Sequence, residues 1–155
     1  MTIDWKLPWG GGCLCGQVRF QVTAPPLLTA ACHCTGCQKL SASAYSLTIS
    51  VPSEGFHLIQ GDPVLGGLHG PHGQFFCPHC KNWMFTRPQG LEWLVNVRAT
   101  MLDDHAWYAP FIEVFTSEKL AWATTGARHS FPTQPDLDGY TPLIEAFARA
   151  GPHPD

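Results

Sequence analysis

Apolar and polar residues alternate along residues 18–23 of this chain, and this two-residue period predicts a half-buried β-strand. Pro25 and Pro26 end this segment. Further segments are rich in β-branched or aromatic residues and are bounded by Gly, Pro, Asp or Ser, which favours short strands separated by turns. These segments are 44–51, 56–60, 74–77, 83–86, 91–97, 111–116 and 120–123. Residues 5–12, which precede them, have the Gly and Pro content of a turn-rich lead-in.

One helix is predicted near the C-terminal end, over about residues 141–150. Thr141 is a suitable N-cap, and Pro142 would occupy the first helical position, where its missing N–H costs no hydrogen bond. Gly151 would end the helix. No repeat, low-complexity tract or long linker divides the sequence. We therefore expect a single domain over residues 1–155, mainly β with a short C-terminal helix.

The composition narrows the classes of function. The 155 residues include 15 Gly and 14 Pro, as expected for many turns, and 45% are hydrophobic, which is enough for a core. Only 14% are charged, the formal net charge is −3, and no basic block occurs, so nucleic acid is not an expected partner. No apolar run reaches the roughly 20 residues needed to span a bilayer, and no signal peptide is visible. We expect a cytoplasmic protein without a membrane partner.

The cysteines are the most informative residues. There are seven, an odd number that excludes complete pairing in internal disulfides. They fall into three clusters: Cys13 and Cys15; Cys32, Cys34 and Cys37; and Cys77 and Cys80. In a reducing compartment such clusters predict metal ligands.

The first and last clusters predict a closed site. Cys13 and Cys15 are two residues apart, so on an extended strand both sulfurs would lie on one face. Cys77 and Cys80 have the two-residue spacing of a zinc knuckle. Together the four cysteines predict a structural zinc site that ties distant parts of the chain together. The alternative is a set of buried thiols that bind nothing.

Cys32, Cys34 and Cys37 predict a second and different site. Cys32 and Cys34 again share a face, and Gly36 would let the chain turn so that Cys37 joins them. Three sulfurs leave one position of a tetrahedral ion open, which distinguishes catalytic from structural zinc. An ion held there could bind a substrate thiolate or polarise a carbonyl.

Three alternatives remain open for this second cluster. A distant histidine could be a fourth ligand, Cys32 and Cys37 could form a redox pair or a peroxide sensor, or the cluster could hold no metal. His33 lies between two of the cysteines and should point away from their shared face. We therefore interpret His33, and likewise His79, as residues that support the ligands from behind or pack in the interior, rather than as ligands.

Several segments around the cysteines carry recognisable motifs. They are 11–20 (GGCLCGQVRF), 32–39 (CHCTGCQK), 41–45 (SASAY), 76–80 (FCPHC), 100–104 (TMLDD) and 115–122 (FTSEKLAW). Together they resemble the glutathione-dependent formaldehyde-activating enzyme family, whose eukaryotic relatives include centromere protein V. The resemblance covers about residues 10–125.

The resemblance implies a β-tent fold with two zinc ions per chain. The implied ligands are Cys13, Cys15, Cys77 and Cys80 for a structural ion, and Cys32, Cys34 and Cys37 for a catalytic one. The implied reaction is the reversible addition of a small thiol such as glutathione to a small aldehyde such as formaldehyde, giving S-hydroxymethylglutathione; its reverse is a carbon–sulfur lyase reaction. Two alternatives without catalysis are a zinc-stabilised protein-binding module and a thiol- or metal-sensing module.

Three residues depart from the family pattern without removing a ligand. Ala42, Lys81 and Ala99 stand where the family commonly has Gly. If position 81 needs a positive φ, Lys81 bears strain. Ser41, Ser43 and Tyr45 follow the three-cysteine cluster closely enough to hydrogen-bond a zinc-bound ligand.

Overall fold

The computed structural model describes residues 2–155, whose contacts divide them into two units. Each unit is assembled from separate parts of the chain. The first contains residues 2–5, Leu27–Ile49 and Trp107–Asp155, and the second contains Lys6–Pro26 and Ser50–Ala106. The strands belong to two sheets, so the predicted mainly-β fold with a C-terminal helix is confirmed. The single-domain organisation stays a prediction.

Eleven strands and two α-helices are formed by the described residues. In chain order they are β1 (Trp9–Gly12), β2 (Arg19–Val22), β3 (Leu28–Cys32), α1 (Thr35–Ser41), β4 (Ser46–Pro52), β5 (Phe56–Gln60), β6 (Val64–Gly66), β7 (Gly73–Phe76), β8 (Trp83–Arg87), β9 (Leu94–Arg98), β10 (Ile112–Val114), β11 (His129–Ser130) and α2 (Leu137–Ala150). Within residues 2–155, no helix is both long and apolar enough to cross a bilayer.

In the first unit the strands follow the order β11-β10-β3, with residues 46–49 of β4 beside β3. The short strand β10 is parallel to both of its neighbours, and Val114 lies opposite Cys32 at the end of β3. This pairing brings residues 112–114 beside a segment about 80 positions earlier in the chain. The cysteine-bearing segment 32–37 begins where β3 ends.

Helix α2 packs against β3 through an apolar face. Phe147 is fully buried, stacks on Trp5 with ring centroids 5.5 Å apart and meets Phe111 edge to face at 5.6 Å. Burying an aromatic side chain of this size stabilises the folded state by about 2–3 kcal/mol. These contacts hold helix α2 and its side chains against the sheet of the first unit.

In the second unit, β1, β2 and β5 form an antiparallel three-stranded sheet in the order β1-β2-β5. Strands β6 to β9 follow one another as antiparallel neighbours. Phe56 contacts the rings of Phe20 and Phe85 at centroid distances of 5.3 and 4.8 Å, so one aromatic cluster joins β2, β5 and β8. Gly11 gives Phe20 its space, because a Cβ at residue 11 would lie 2.4 Å from that ring.

Most predicted strands agree with the structure to within a few residues, and β5 has the predicted bounds. The prediction for 120–123 is wrong: this segment is a turn, with the Ala123 N–H bonded to the carbonyl of Leu120. The turn-rich lead-in is wrong at 9–12, where β1 forms despite three glycines because it pairs with β2. The strands β3, β6 and β11 and the helix α1 had no sequence prediction.

The predicted start of the C-terminal helix is also wrong. Helix α2 begins four residues earlier, at Leu137, because the Asp136 carboxylate caps it by accepting a hydrogen bond of 2.8 Å from the Gly139 N–H. Pro142 therefore lies inside the helix rather than at its first position. The predicted end is correct, since Gly151 follows the last helical residue.

Candidate metal centres

Four cysteine sulfurs converge in the second unit. The Sγ atoms of Cys13, Cys15, Cys77 and Cys80 all lie within 4.8 Å of one another. The Sγ of Cys15 is 3.6 Å from that of Cys13 and 3.7 Å from that of Cys77. A tetrahedral zinc ion with bonds of about 2.3 Å to sulfur requires sulfur–sulfur separations of about 3.8 Å. The four thiols therefore have the spacing of a tetrahedral metal site and are too far apart to be disulfides.

Two turns of similar construction supply these four thiols. Cys13 and Cys15 lie in the turn between β1 and β2, where Gly16 has a φ of 79° and the Cys13 sulfur accepts a hydrogen bond of 3.3 Å from the Val18 N–H. In the second turn, the sulfur of Cys77 accepts a bond of 3.4 Å from the Cys80 N–H. The expected extended strand at residues 13–15 is wrong, because a turn rather than strand alternation directs both sulfurs toward Cys77 and Cys80.

One side chain that the sequence did not single out connects the two turns. The amide oxygen of Asn82 accepts a hydrogen bond of 2.7 Å from the Leu14 N–H, while its backbone carbonyl accepts one of 3.0 Å from the Cys77 N–H. Asn82 therefore holds each turn by a separate acceptor. Such a link fixes the distance between the two cysteine pairs.

The pKa shifts within the group of four thiols differ in direction. Burial raises the pKa of Cys13, but the hydrogen bond from Val18 and those of the neighbouring thiols outweigh it and lower the pKa to about 6. At Cys15 the Gln17 backbone N–H lowers the pKa, whereas desolvation and the other three thiols raise it to about 11. Thiols this close share their protons, and a bound cation displaces those protons outright.

A second group of three thiols lies in the first unit. The Sγ atoms of Cys32, Cys34 and Cys37 lie within 4.8 Å of one another, and Cys34 and Cys37 are buried. Cys34 is the N-cap of α1, and its sulfur accepts a hydrogen bond of 3.3 Å from the Cys37 N–H. The first turn of α1, rather than a glycine turn at residue 36, brings Cys37 back to the other two sulfurs.

Residues from a distant part of the same unit hold this segment. The Glu118 carboxylate accepts hydrogen bonds from the N–H and the hydroxyl of Thr35, at 3.1 and 3.2 Å. The Gln38 amide donates to the carbonyls of His33 and Glu118, at 2.7 and 3.0 Å. These bonds fix both ends of the cysteine segment, so its three sulfurs are held in place before any ion binds.

Hydrogen bonding to the neighbouring thiols and burial act in the same direction at Cys32. Hydrogen bonds from Cys34 and Cys37, followed by burial, raise the pKa of Cys32 above its usual value. Tyr140, on α2, interacts electrostatically with this cluster. Burial, and then the charge of Cys32, raise the pKa of the Tyr140 hydroxyl. No sequence motif connects Tyr140 with the cysteines, because more than 100 residues separate them.

The histidines remain outside both thiol groups. No His, Asp or Glu among the described residues joins either group. His33 is fully buried, and its ring packs edge to face on Tyr45 with the centroids 5.4 Å apart. The Ser41 hydroxyl donates to the carbonyl of Cys37 at 2.7 Å and thus stabilises the end of α1.

The departures from the family pattern have visible backbone consequences at two positions. Lys81 has a φ of 62° and Ala42, which ends α1, has a φ of 50°. Both values lie in the left-handed region that glycine adopts with less strain. Ala99, the third departure, is buried and has no such conformation.

Comparison with known proteins bears on the same residues. Residues 8–118, which contain all seven cysteines and end before α2, match the family described as glutathione-dependent formaldehyde-activating enzyme. A crystal structure of a Rhodobacter sphaeroides protein, a structural-genomics target, covers 61% of this chain and 87% of its own with 17% identity and a TM-score of 0.51. That likeness concerns the fold alone. No curated protein matches the sequence significantly. Since the family match extends over well more than half of the sequence, the chain belongs to the glutathione-dependent formaldehyde-activating enzyme family.

Proposed function

We propose that this chain is a zinc-dependent enzyme that adds glutathione to formaldehyde and, in the reverse direction, acts as a carbon–sulfur lyase. Membership of the family supports a function connected with glutathione or formaldehyde in general. The observation that carries the finer proposal is the group of Cys32, Cys34 and Cys37, which no fourth ligand among residues 2–155 completes. A tetrahedral ion held by three sulfurs keeps one position for a substrate.

The donor set fits zinc. Thiolate sulfur in tetrahedral geometry favours zinc over the hard cations magnesium and calcium, which prefer oxygen. A zinc ion bound by these three thiolates would supply Lewis acidity, which favours the thiolate form of a substrate thiol or polarises an aldehyde carbonyl. The protein's own contribution is to fix the three sulfurs, through Glu118 and Gln38, and to bring the two reactants together.

The proposed reaction needs no oxidant or reductant. In the forward direction the glutathione sulfur forms a bond to the formaldehyde carbon, and the π electrons of the carbonyl become a lone pair on its oxygen. The thiol proton ends on that oxygen, which gives the hydroxymethyl adduct. In the reverse direction the carbon–sulfur bond breaks and the hydroxyl proton returns to sulfur.

Exchange NMR spectroscopy tests the proposal directly. Glutathione and formaldehyde interconvert slowly with their adduct in water, so the exchange rate is measured with and without zinc-loaded protein at equal total thiol. We expect faster exchange with the protein and the uncatalysed rate with Cys34→Ser. An unchanged rate with the loaded wild-type protein would refute catalysis on this substrate pair and favour a binding or sensing module.

A second thiol tests the specificity for glutathione. The same exchange is measured with 2-mercaptoethanol, which has the thiol but none of the peptide. Acceleration for glutathione alone would support recognition of the tripeptide. Equal acceleration for both thiols would retain the adduct chemistry and refute glutathione as the specific substrate.

A further inference from the structure

One acidic side chain in the interior has no part in the cysteine motifs. Glu113, in the middle of β10, is buried, and it is the only Asp or Glu of which this is true among residues 2–155. Moving a carboxylate out of water costs several kcal/mol unless it is paired or hydrogen-bonded. The contacts of the Glu113 carboxylate therefore indicate its role in the folded protein.

The two oxygens of Glu113 face different partners. Oε1 lies 3.4 Å from Nε2 of His33, at ion-pair distance, and Oε2 accepts a hydrogen bond from the Thr125 hydroxyl. Neither ring nitrogen of His33 has a hydrogen-bond partner of good geometry among the described residues, and the ring is completely buried. The carboxylate of Glu113 thus faces the His33 ring from β10, and Tyr45 packs on the same ring edge to face.

The ring held in this way belongs to the residue between two of the cysteines. Strand β10 holds His33 twice: through the Glu113 side chain, and through the Val114 carbonyl, which accepts a hydrogen bond of 3.0 Å from the His33 N–H. Side chains alternate along an extended backbone, so the His33 ring and the sulfurs of Cys32 and Cys34 leave it on opposite sides. A fixed ring on one side therefore fixes the direction of both sulfurs on the other.

We infer that Glu113 is a positioning residue for the three-cysteine site: from the neighbouring strand it holds the His33 ring, and so holds Cys32 and Cys34 in the geometry that binds a metal ion. It does not act as a ligand, since it is outside the group of converging thiols. Partners that orient a metal site from behind the ligands commonly change metal affinity by 10- to 100-fold when they are mutated.

The two metal sites in one chain make the inference testable. Zn²⁺ is titrated into the protein in competition with a chromophoric chelator, and the step that disappears in Cys34→Ser is assigned to the three-cysteine site. We expect Glu113→Gln, which keeps the size and removes the charge, to weaken this site by at least about tenfold. The four-cysteine site should keep its affinity. A smaller change, or equal weakening of both sites, would overturn the inference.

Two further variants separate positioning from general stability. Ile112→Val removes one methylene from the neighbouring buried residue of β10. It should lower the stability of the fold without changing the zinc affinity of either site. If it weakened zinc binding at the three-cysteine site as much as Glu113→Gln does, the inference would be overturned. Thr125→Val serves where Glu113→Gln fails to fold, because Thr125 is only partly buried. It removes the hydroxyl that orients the carboxylate and should weaken the three-cysteine site several-fold, whereas unchanged affinity there would overturn the inference.

Discussion

The two thiol groups should differ in how much they stabilise the fold, and the length of chain that each one closes gives the size of the difference. Cys15 and Cys77 are 62 residues apart, with their sulfurs 3.7 Å apart. A cross-link that closes a loop of this length reduces the entropy of the unfolded chain by the equivalent of about 4 kcal/mol. Cys32 and Cys37 are only five residues apart, and the dependence on loop length makes their closure worth about 2 kcal/mol less.

The substitutions Cys77→Ser and Cys37→Ser test this difference. The metal content of each variant is measured to verify that the mutated site has lost its ion, because three remaining cysteines that still bound zinc would keep the loop closed. The unfolding of each variant is then followed by circular dichroism. In a chain of this size 1 kcal/mol corresponds to about 2–4 °C, so Cys77→Ser should lower the melting temperature by about 4–8 °C more than Cys37→Ser. Adduct exchange should be lost in Cys37→Ser while its fold survives.

A control variant separates the cross-link from packing. Cys77 is fully buried, so its substitution also disturbs the interior, whereas Cys15 is exposed. Cys15→Ser should therefore give nearly the same loss as Cys77→Ser if closure of the loop is the cause. A small effect of Cys15→Ser, or a larger effect of Cys37→Ser than of Cys77→Ser, would refute the loop argument.

Three further predictions concern residues around the sites. Tyr140→Phe removes a hydroxyl near Cys32. We expect kcat to fall by about tenfold, which corresponds to the loss of one hydrogen bond, and zinc affinity to stay unchanged. An unaltered kcat in the exchange assay would exclude a role of this hydroxyl in the reaction. Ala42→Gly relieves the φ of 50° and should raise the unfolding free energy by about 1 kcal/mol in urea titrations; a destabilised variant would contradict the strain. Arg19 lowers the pKa of Asp103 below 3.8, although some burial opposes this. The pair therefore stabilises the fold above pH 3.8, and Asp103→Asn should cost up to about 1 kcal/mol there and progressively less as the pH falls further. A cost that persists at low pH would assign it to packing.

The sequence predicted what depends on local spacing. The two-residue spacing of Cys77 and Cys80 is enough to indicate a knuckle, and the apolar content of residues 56–60 between two glycines predicted the bounds of β5. Predictions from the sequence were wrong where tertiary contacts override the local preference of the residues. Strand β1 contains three glycines, which disfavour a strand by propensity, but Gly11 is needed there because the Phe20 ring fills the space of a Cβ.

For a related reason, α1 was not predicted from the sequence and the predicted start of α2 was wrong. Helix α1 is one short element whose N-cap is a cysteine, and cysteine is not among the residues that usually signal a helix start. At α2, Thr141 followed by Pro142 favoured a start that is wrong. Asp136 provides the real cap, at the cost of an internal proline that lacks the N–H for one helical hydrogen bond.

The two sites also differ in how far their surroundings could be predicted, and this difference bears on substrate choice. The four-cysteine group is fixed by two tight turns and by Asn82, all of them close to the cysteines in sequence. The three-cysteine group comes from a run of six residues, but the side chains around it come from distant parts of the sequence. The parallel pairing of β10 with β3 and the packing of α2 place them there: Glu113, Glu118 and Tyr140. Tyr140 lies beyond residue 118, where the family match ends. Two members of the family with identical cysteine motifs can therefore hold the same ion and still present different groups to the substrate.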